Sequence, residues 1–214
     1  MKKKIKLALI ANTSDFLRIY ALNHIQMLSK NYDLYICCNN ASELKKIVPS
    51  NVLLVNINFK RGISIFSDII TFFITLFFFL KKRPNFSISF TPKIGFMVAI
   101  IGFIMRTPKR VHWFTGQIWV LRKGFIKVFY KSIDRLIFSL CHNVLIDSHA
   151  QKKFLIDEKV ITSNKSIVLH KGSVGGVNIK KFKPDKKKRI SFRKKFSISK
   201  NTFVFLYLGR INKD

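Results

Sequence analysis

Residues 110–124 read RVHWFTGQIWVLRKG, and aromatic, cationic and turn-forming types rarely crowd like this where a segment only fills a core. His112 is the one side chain here that carries or lacks a charge near neutral pH, and as a neutral ring it hydrogen-bonds hydroxyl groups. Gly116 permits a close backbone approach or a positive φ, and Gln117 both donates to and accepts from hydroxyls. Arg122 offers a two-pronged contact to an oxyanion and Lys123 a point charge. Each has a plainer reading: a strand-end histidine bonded to a carbonyl, a solvated basic pair, and Trp113 and Trp119 as packing rather than stacking groups.

The elements that must position these residues alternate. Short apolar runs at 5–10, 32–37, 51–57, 86–90, 110–114, 143–148 and 166–170 read as buried parallel strands. Helical stretches at 14–29, 41–47, 63–80, 94–105, 125–141 and 148–157 fill the intervals. Strand and helix in alternation predict an α/β fold, a Rossmann-like doubly wound parallel sheet. Ligands of such sheets bind beyond the carboxyl ends of the strands, where His112, Ser148 and His170 fall. Ser148 is also a natural N-cap for the helix that follows.

The formal net charge is +30, from 40 Lys+Arg against 10 Asp+Glu. That balance favours phosphate-bearing ligands, anionic membrane surfaces or nucleic acid, and speaks to partners rather than to fold. Cys37, Cys38 and Cys141 form no metal spacing with the histidines, so no metal is expected and a reducing cytoplasm is the natural compartment. The N-terminal run IKLALIA, interrupted by Lys6, suits a first strand better than a signal peptide. The Phe-rich stretch 63–80 carries Ser64, Ser67, Asp68, Thr71 and Thr75 at helical spacing, a polar stripe that argues against a span. Basic flanks on it and on 94–105 predict a protein that rests on the cytoplasmic face of a membrane without crossing it. Residues 180–200 hold eleven basic residues and one acidic, but no zinc-finger, RNA-binding or Walker-type pattern accompanies them, so nucleic acid is not an expected partner.

Five stretches in order, FTPKIGFMVAI, RVHWFTGQIWVLRKG, VLIDSHAQKKFLIDEKV, KGSVGGVNIKKFKP and FVFLYLGRINKD, resemble the retaining glycosyltransferases of family 4 that build bacterial capsule or O-antigen. The resemblance implies the N-terminal, acceptor-binding half of a GT-B fold. Residues 1–171 would form the acceptor domain, 172–201 a linker with a basic helix, and 202–214 the first strand of a donor-binding domain. It implies that His112 lines the cleft near the transferred sugar and that Lys93, Gly116, Gln117, Arg122 and Lys123 meet the acceptor. Gly209 and Arg210 would begin the donor's diphosphate site. A nucleotide sugar would be the donor and a polyprenyl-linked sugar the acceptor, with neither cofactor nor metal. Two departures stand out. Asn178 occupies a position where relatives carry Asp, and the family's donor-site lysine would fall just after Asp214. The chain therefore reads as an acceptor domain expected to be inactive alone; the alternatives are a non-catalytic membrane-recruiting subunit working with a separate donor-domain chain, and a basic nucleic-acid-binding protein.

Overall fold

A computed structural model describes residues 5–60, 62 and 64–209. The chain separates into two units, Met1–Gly176 and Val177–Asp214. The first is a seven-stranded sheet in the order β3-β2-β1-β4-β5-β6-β7. Its strands are β1 (Ile5–Thr13), β2 (Tyr32–Asn39), β3 (Leu53–Asn56), β4 (Phe86–Phe90), β5 (Lys109–Phe114), β6 (Asn143–Ile146) and β7 (Ser166–Val168). Every pairing is parallel. The order reverses at β1, which pairs with β2 on one side and β4 on the other, so the switch point lies between β1 and β4.

Both faces are covered, as continuous apolar strands require. Alternate residues of β1 divide between them. Leu7, Leu9 and Ala11 pack with Leu17, Ala21 and Ile25 of the helical segment made by α1 (Ser14–Phe16), a π-turn (Leu17–Ala21) and α2 (Leu22–Leu28). Ala8 and Ile10 pack against α3 (Ile65–Lys82) and α4 (Pro92–Ile104). On that second face, Phe114, Val144 and Ile146 meet α5 (Gly124–Leu140) and α6 (His149–Asp157). Ser148 caps α6, its hydroxyl accepting from the Gln151 N–H at 3.0 Å. The stretch after β2 folds as a tighter 3-10 turn, Ala41–Lys46, in place of the expected α-helix.

The Val177–Asp214 unit holds α7 (Lys186–Lys195), capped by Asp185, whose carboxylate accepts from the Lys188 N–H at 3.0 Å. Residues 202–208 run as coil rather than as the expected strand.

Candidate functional site

The carboxyl ends of β5 and β6 are bound together by a polar network. Trp113, whose ring stacks on Phe90, donates its indole N–H to the Asp147 carboxylate at 3.0 Å. The Asp147 N–H donates to the Gln151 side-chain carbonyl at 3.0 Å, and the Gln151 amide donates to Gln117 at 3.2 Å. Burial pushes the Asp147 carboxyl above its usual range, and the Trp113 N–H and the Val174 backbone oppose that rise. The segment after β7 seals this network. The Ser173 N–H donates to the Asp147 carbonyl at 2.6 Å. Gly172 sits so close that a Cβ would lie 2.1 Å from the same oxygen, at a φ of +100°. On the same face of the sheet as Trp113, His24 donates to the Val174 carbonyl at 2.6 Å, its ring 5.6 Å from that of Trp113.

His112 is placed differently from the expectation of a cleft-lining residue. It lies two residues inside β5, pairs with Ser89 and Val144, and is completely buried. Strand alternation turns it to the helical face opposite Trp113. Its Nδ1 shares a hydrogen bond with the Ser89 hydroxyl at 2.9 Å, and its ring meets Phe114 edge-on at 4.7 Å. Gly95 of α4 lies directly over it: a Cβ there would be 2.3 Å from the imidazole carbon. Burial lowers the pKa to about 3, so the ring is neutral at physiological pH. Nε2 is enclosed without a hydrogen-bond partner among the described residues. The enclosure by Ser89, Phe114 and α4 makes this a core imidazole.

The loop that follows is pinned from below. Trp119 is buried, stacks on Phe154 at 5.5 Å and donates to Asp134 at 2.7 Å. Asp134 is itself buried, and desolvation raises its pKa to about 6 against the pull of that indole N–H. Lys131 and Lys127 stand over the same indole at 5.5 and 5.9 Å. This anchor leaves Gly116, Arg122 and Lys123 exposed at the rim, with Gln117 half-buried and its amide nitrogen lacking a hydrogen-bond partner among the described residues.

Lys93 opens α4, but its ammonium is already engaged. It pairs with Asp68 at 2.5 Å and donates to the carbonyls of Lys60 and Gly62 at 3.0 and 2.7 Å. It ties the loop before α3 to α4. Thr91, just ahead, holds a φ of +66°, an unusual conformation for a β-branched residue, at the strand end beside the switch point. Asn12, near the end of β1, has a buried carbonyl oxygen with no partner among the described residues. Gly209 is exposed and belongs to the other unit, while Arg210 lies outside the described residues. Among the described residues no three His, Cys, Asp or Glu side chains gather in a way that could hold a metal ion.

A rim of amides, an indole-bound carboxylate and exposed cations suits a ligand rich in hydroxyls and phosphates. The chain is similar in sequence to a capsular polysaccharide glycosyltransferase. That protein, CapM of Staphylococcus aureus, is 30% identical over 185 residues, which cover 86% of this chain and 48% of CapM. No protein-family model matches. Among solved structures, a glycosyltransferase from Rickettsia africae superposes with a TM-score of 0.62 at 15% identity, covering 93% of this chain and 51% of its own. HepE of Anabaena, solved in complex with UDP, gives 0.63 at 11% identity over 90% of this chain and 50% of its own. These structural likenesses establish the Rossmann-like fold. The chain spans about half the length of the relatives it matches.

Of the residues expected to meet the acceptor, Gln117, Arg122 and Lys123 lie at this rim; Asn12, His24 and Gln151, also at the strand ends, are not among those expectations. No spacing pattern marks Asn12 or His24, whose surroundings are set by distant segments; Gln151, one turn past the Ser148 cap, has a local signal.

Proposed function

We propose that this chain is the acceptor-binding half of a retaining, family 4 glycosyltransferase of GT-B architecture, acting in surface polysaccharide synthesis. It takes a polyprenyl-linked sugar as acceptor, and the donor is a nucleotide sugar held by a further domain, without metal or cofactor. The reading is carried by the 185-residue similarity to CapM, which covers 86% of this chain. The complexes of HepE with UDP and of a Methanocaldococcus jannaschii UDP-GlcNAc 2-epimerase with UDP-GlcNAc support a nucleotide-sugar donor for proteins of this fold. In this reading Gln117 and Asn12 meet acceptor hydroxyls, Arg122 and Lys123 meet the pyrophosphate, and Gly209 and Arg210 begin the donor side. Trp113, Asp147 and Gln151 hold the rim in place. His112 acts from beneath, as a neutral packing group that sets the spacing of β4, β5 and α4.

The test joins the chain to the C-terminal half of CapM and follows labelled sugar from nucleotide sugars into the lipid extract of bacterial membranes. Transfer is expected from the fusion and not from the chain alone, because one wall of a cleft neither excludes water nor holds a donor diphosphate. A folded fusion that transfers nothing from any nucleotide sugar overturns the reading, and transfer by the chain alone overturns the division of labour.

A further inference from the structure

The helical face carries an apolar trough. α4 is its floor, with Ile94, Met97, Val98 and Ile101 turned into the core, and α3 and α5 pack on either side of it. Two cavities, of about 380 and 340 Å³, lie along α4 and share Asp68, Lys93 and Phe96. Ile69 and Phe72 of α3, Phe96 and Ile100 of α4, and Phe129 and Ile133 of α5 line them. Asp68 is the single acidic group lining them, and the Lys93 ion pair neutralises it.

The two ends of the trough differ in chemistry. α3, α4 and α5 each follow a parallel strand, so all three helices begin on the carboxyl side of the sheet, where the rim lies. The positive ends of three helix dipoles therefore point there, joined by exposed Lys60, Arg122 and Lys123. At the far end of α4, beyond Ile100, Phe103 and Ile104 are exposed. The outer stripe of α3, Phe66, Ile70, Phe73 and Phe77, runs along that helix from its rim end and is 59–85% exposed. No helix among the described residues is long and apolar enough to cross a membrane. An apolar stripe with basic residues at the ends of its helix (Lys60 before it, Lys81 and Arg83 after it) fits the surface of an anionic bilayer.

We infer that this trough holds the prenyl chain of the lipid-linked acceptor, with the pyrophosphate at the shared N-terminal end of α3, α4 and α5. One occupant meets both ends: a hydrocarbon tail for the trough and a doubly charged head for the cations. A protein partner would satisfy the apolar walls but leave that concentration of positive charge unmatched. The chain enters from the bilayer against the α3 stripe, and its length delivers the sugar to the rim. This rests on the glycosyltransferase reading above and assigns where its acceptor lies.

Equilibrium dialysis of the whole chain with geranylgeranyl pyrophosphate, against inorganic pyrophosphate, tests it. The prenyl compound is expected to bind at least about tenfold more tightly. Ile100→Trp on the floor, or Ile69→Trp on the exposed wall should the first disturb folding, fills the trough and removes that advantage. Phe66→Asp with Phe77→Asp lies outside the trough, so it releases the protein from vesicles containing phosphatidylglycerol while leaving prenyl binding intact. Equal binding of the two pyrophosphates, indifference to both fillers, or a dimer that either filler dissociates overturns the proposal. The CapM fusion separates the two readings. Transfer to a short alkyl pyrophosphate-linked sugar without prenyl binding sinks the trough alone, whereas no transfer to any acceptor sinks the enzyme reading.

Discussion

The rim at the strand ends and the helical face beside it use aromatic residues in opposite ways. At the rim both tryptophans are buried and each indole N–H has a carboxylate, Asp147 for Trp113 and Asp134 for Trp119. A large apolar body with one polar handle pins a loop in a single orientation. On the helical face Phe66, Phe73 and Phe77 stand 61–85% exposed, with no handle to hold and no core to fill. The first arrangement fixes geometry; the second leaves apolar area for something other than water. A chain with 22 phenylalanines does not bury them all, and three of those left out share the outer stripe of α3.

The largest effect should come from breaking the pinned side. Trp119→Ala removes the stack on Phe154 and strips Asp134 of its donor, and is expected to cost about 3–5 kcal/mol in urea unfolding. Trp119→Phe keeps the stacking and loses only the N–H, so its cost should be about 1–3 kcal/mol, that of an unpaired buried polar group. If both variants unfold at the wild-type urea concentration, Trp119 is not an anchor. Phe66→Ala, on the unpinned side, should leave the same transition within about 0.5 kcal/mol.

His112 comes next. His112→Ala leaves Ser89 without its partner and a void beneath Gly95, and should lower stability by about 1–3 kcal/mol. In the CapM fusion, turnover by the folded fraction should remain near normal; a sugar-contacting residue would instead lose roughly 10²–10³-fold in rate. Its titration gives an independent check. The unfolded imidazole titrates near 6.5 and the folded one at about 3, so between those values the unfolded chain binds more protons. His112 therefore makes stability fall as pH drops from 6.5 towards 3. Asp134 acts in the opposite sense: its folded pKa of about 6 exceeds the ordinary 3.8, so it makes stability rise as pH falls through that range. Subtracting the curve of His112→Asn from that of wild type cancels Asp134 and should expose the histidine slope. A flat difference would mean that the ring is reached by water.

The division between legible and hidden follows from sequence range. All seven strands are readable because parallel strands, buried on both faces, are continuous apolar runs. Their ends are less so: the third run spans 51–57, but only Leu53–Asn56 pair, since β3 is the edge strand with β2 as its one neighbour. The helical face of β5 was readable in principle, because alternation sets His112 and Phe114 opposite Trp113. What no local pattern carries is that α4 places a glycine, Gly95, over that histidine, or that Gln117 finds Gln151. A histidine in a strand is ambiguous until the element above it is known.

The smallest effects distinguish free cations from engaged ones. Arg122 and Lys123 are exposed, and among the described residues neither side chain has a hydrogen bond or ion pair to a protein acceptor. Replacing either by Ala should leave the melting temperature unchanged. It should weaken partition onto vesicles containing phosphatidylglycerol by about fivefold, corresponding to about 1 kcal/mol for a cation near anionic lipid. The loss should shrink as salt is raised, because screening acts first on exposed charge. Lys93 provides the contrast. Its charge is matched by Asp68 and two carbonyls, so Lys93→Met should change vesicle partition less than either rim variant. Its effect should appear as faster hydrogen exchange in the loop before α3, whose carbonyls it holds. Equal losses of vesicle binding for all three variants would mean that the membrane reads only total charge, and the distinction between the two regions would then fail at its charged end.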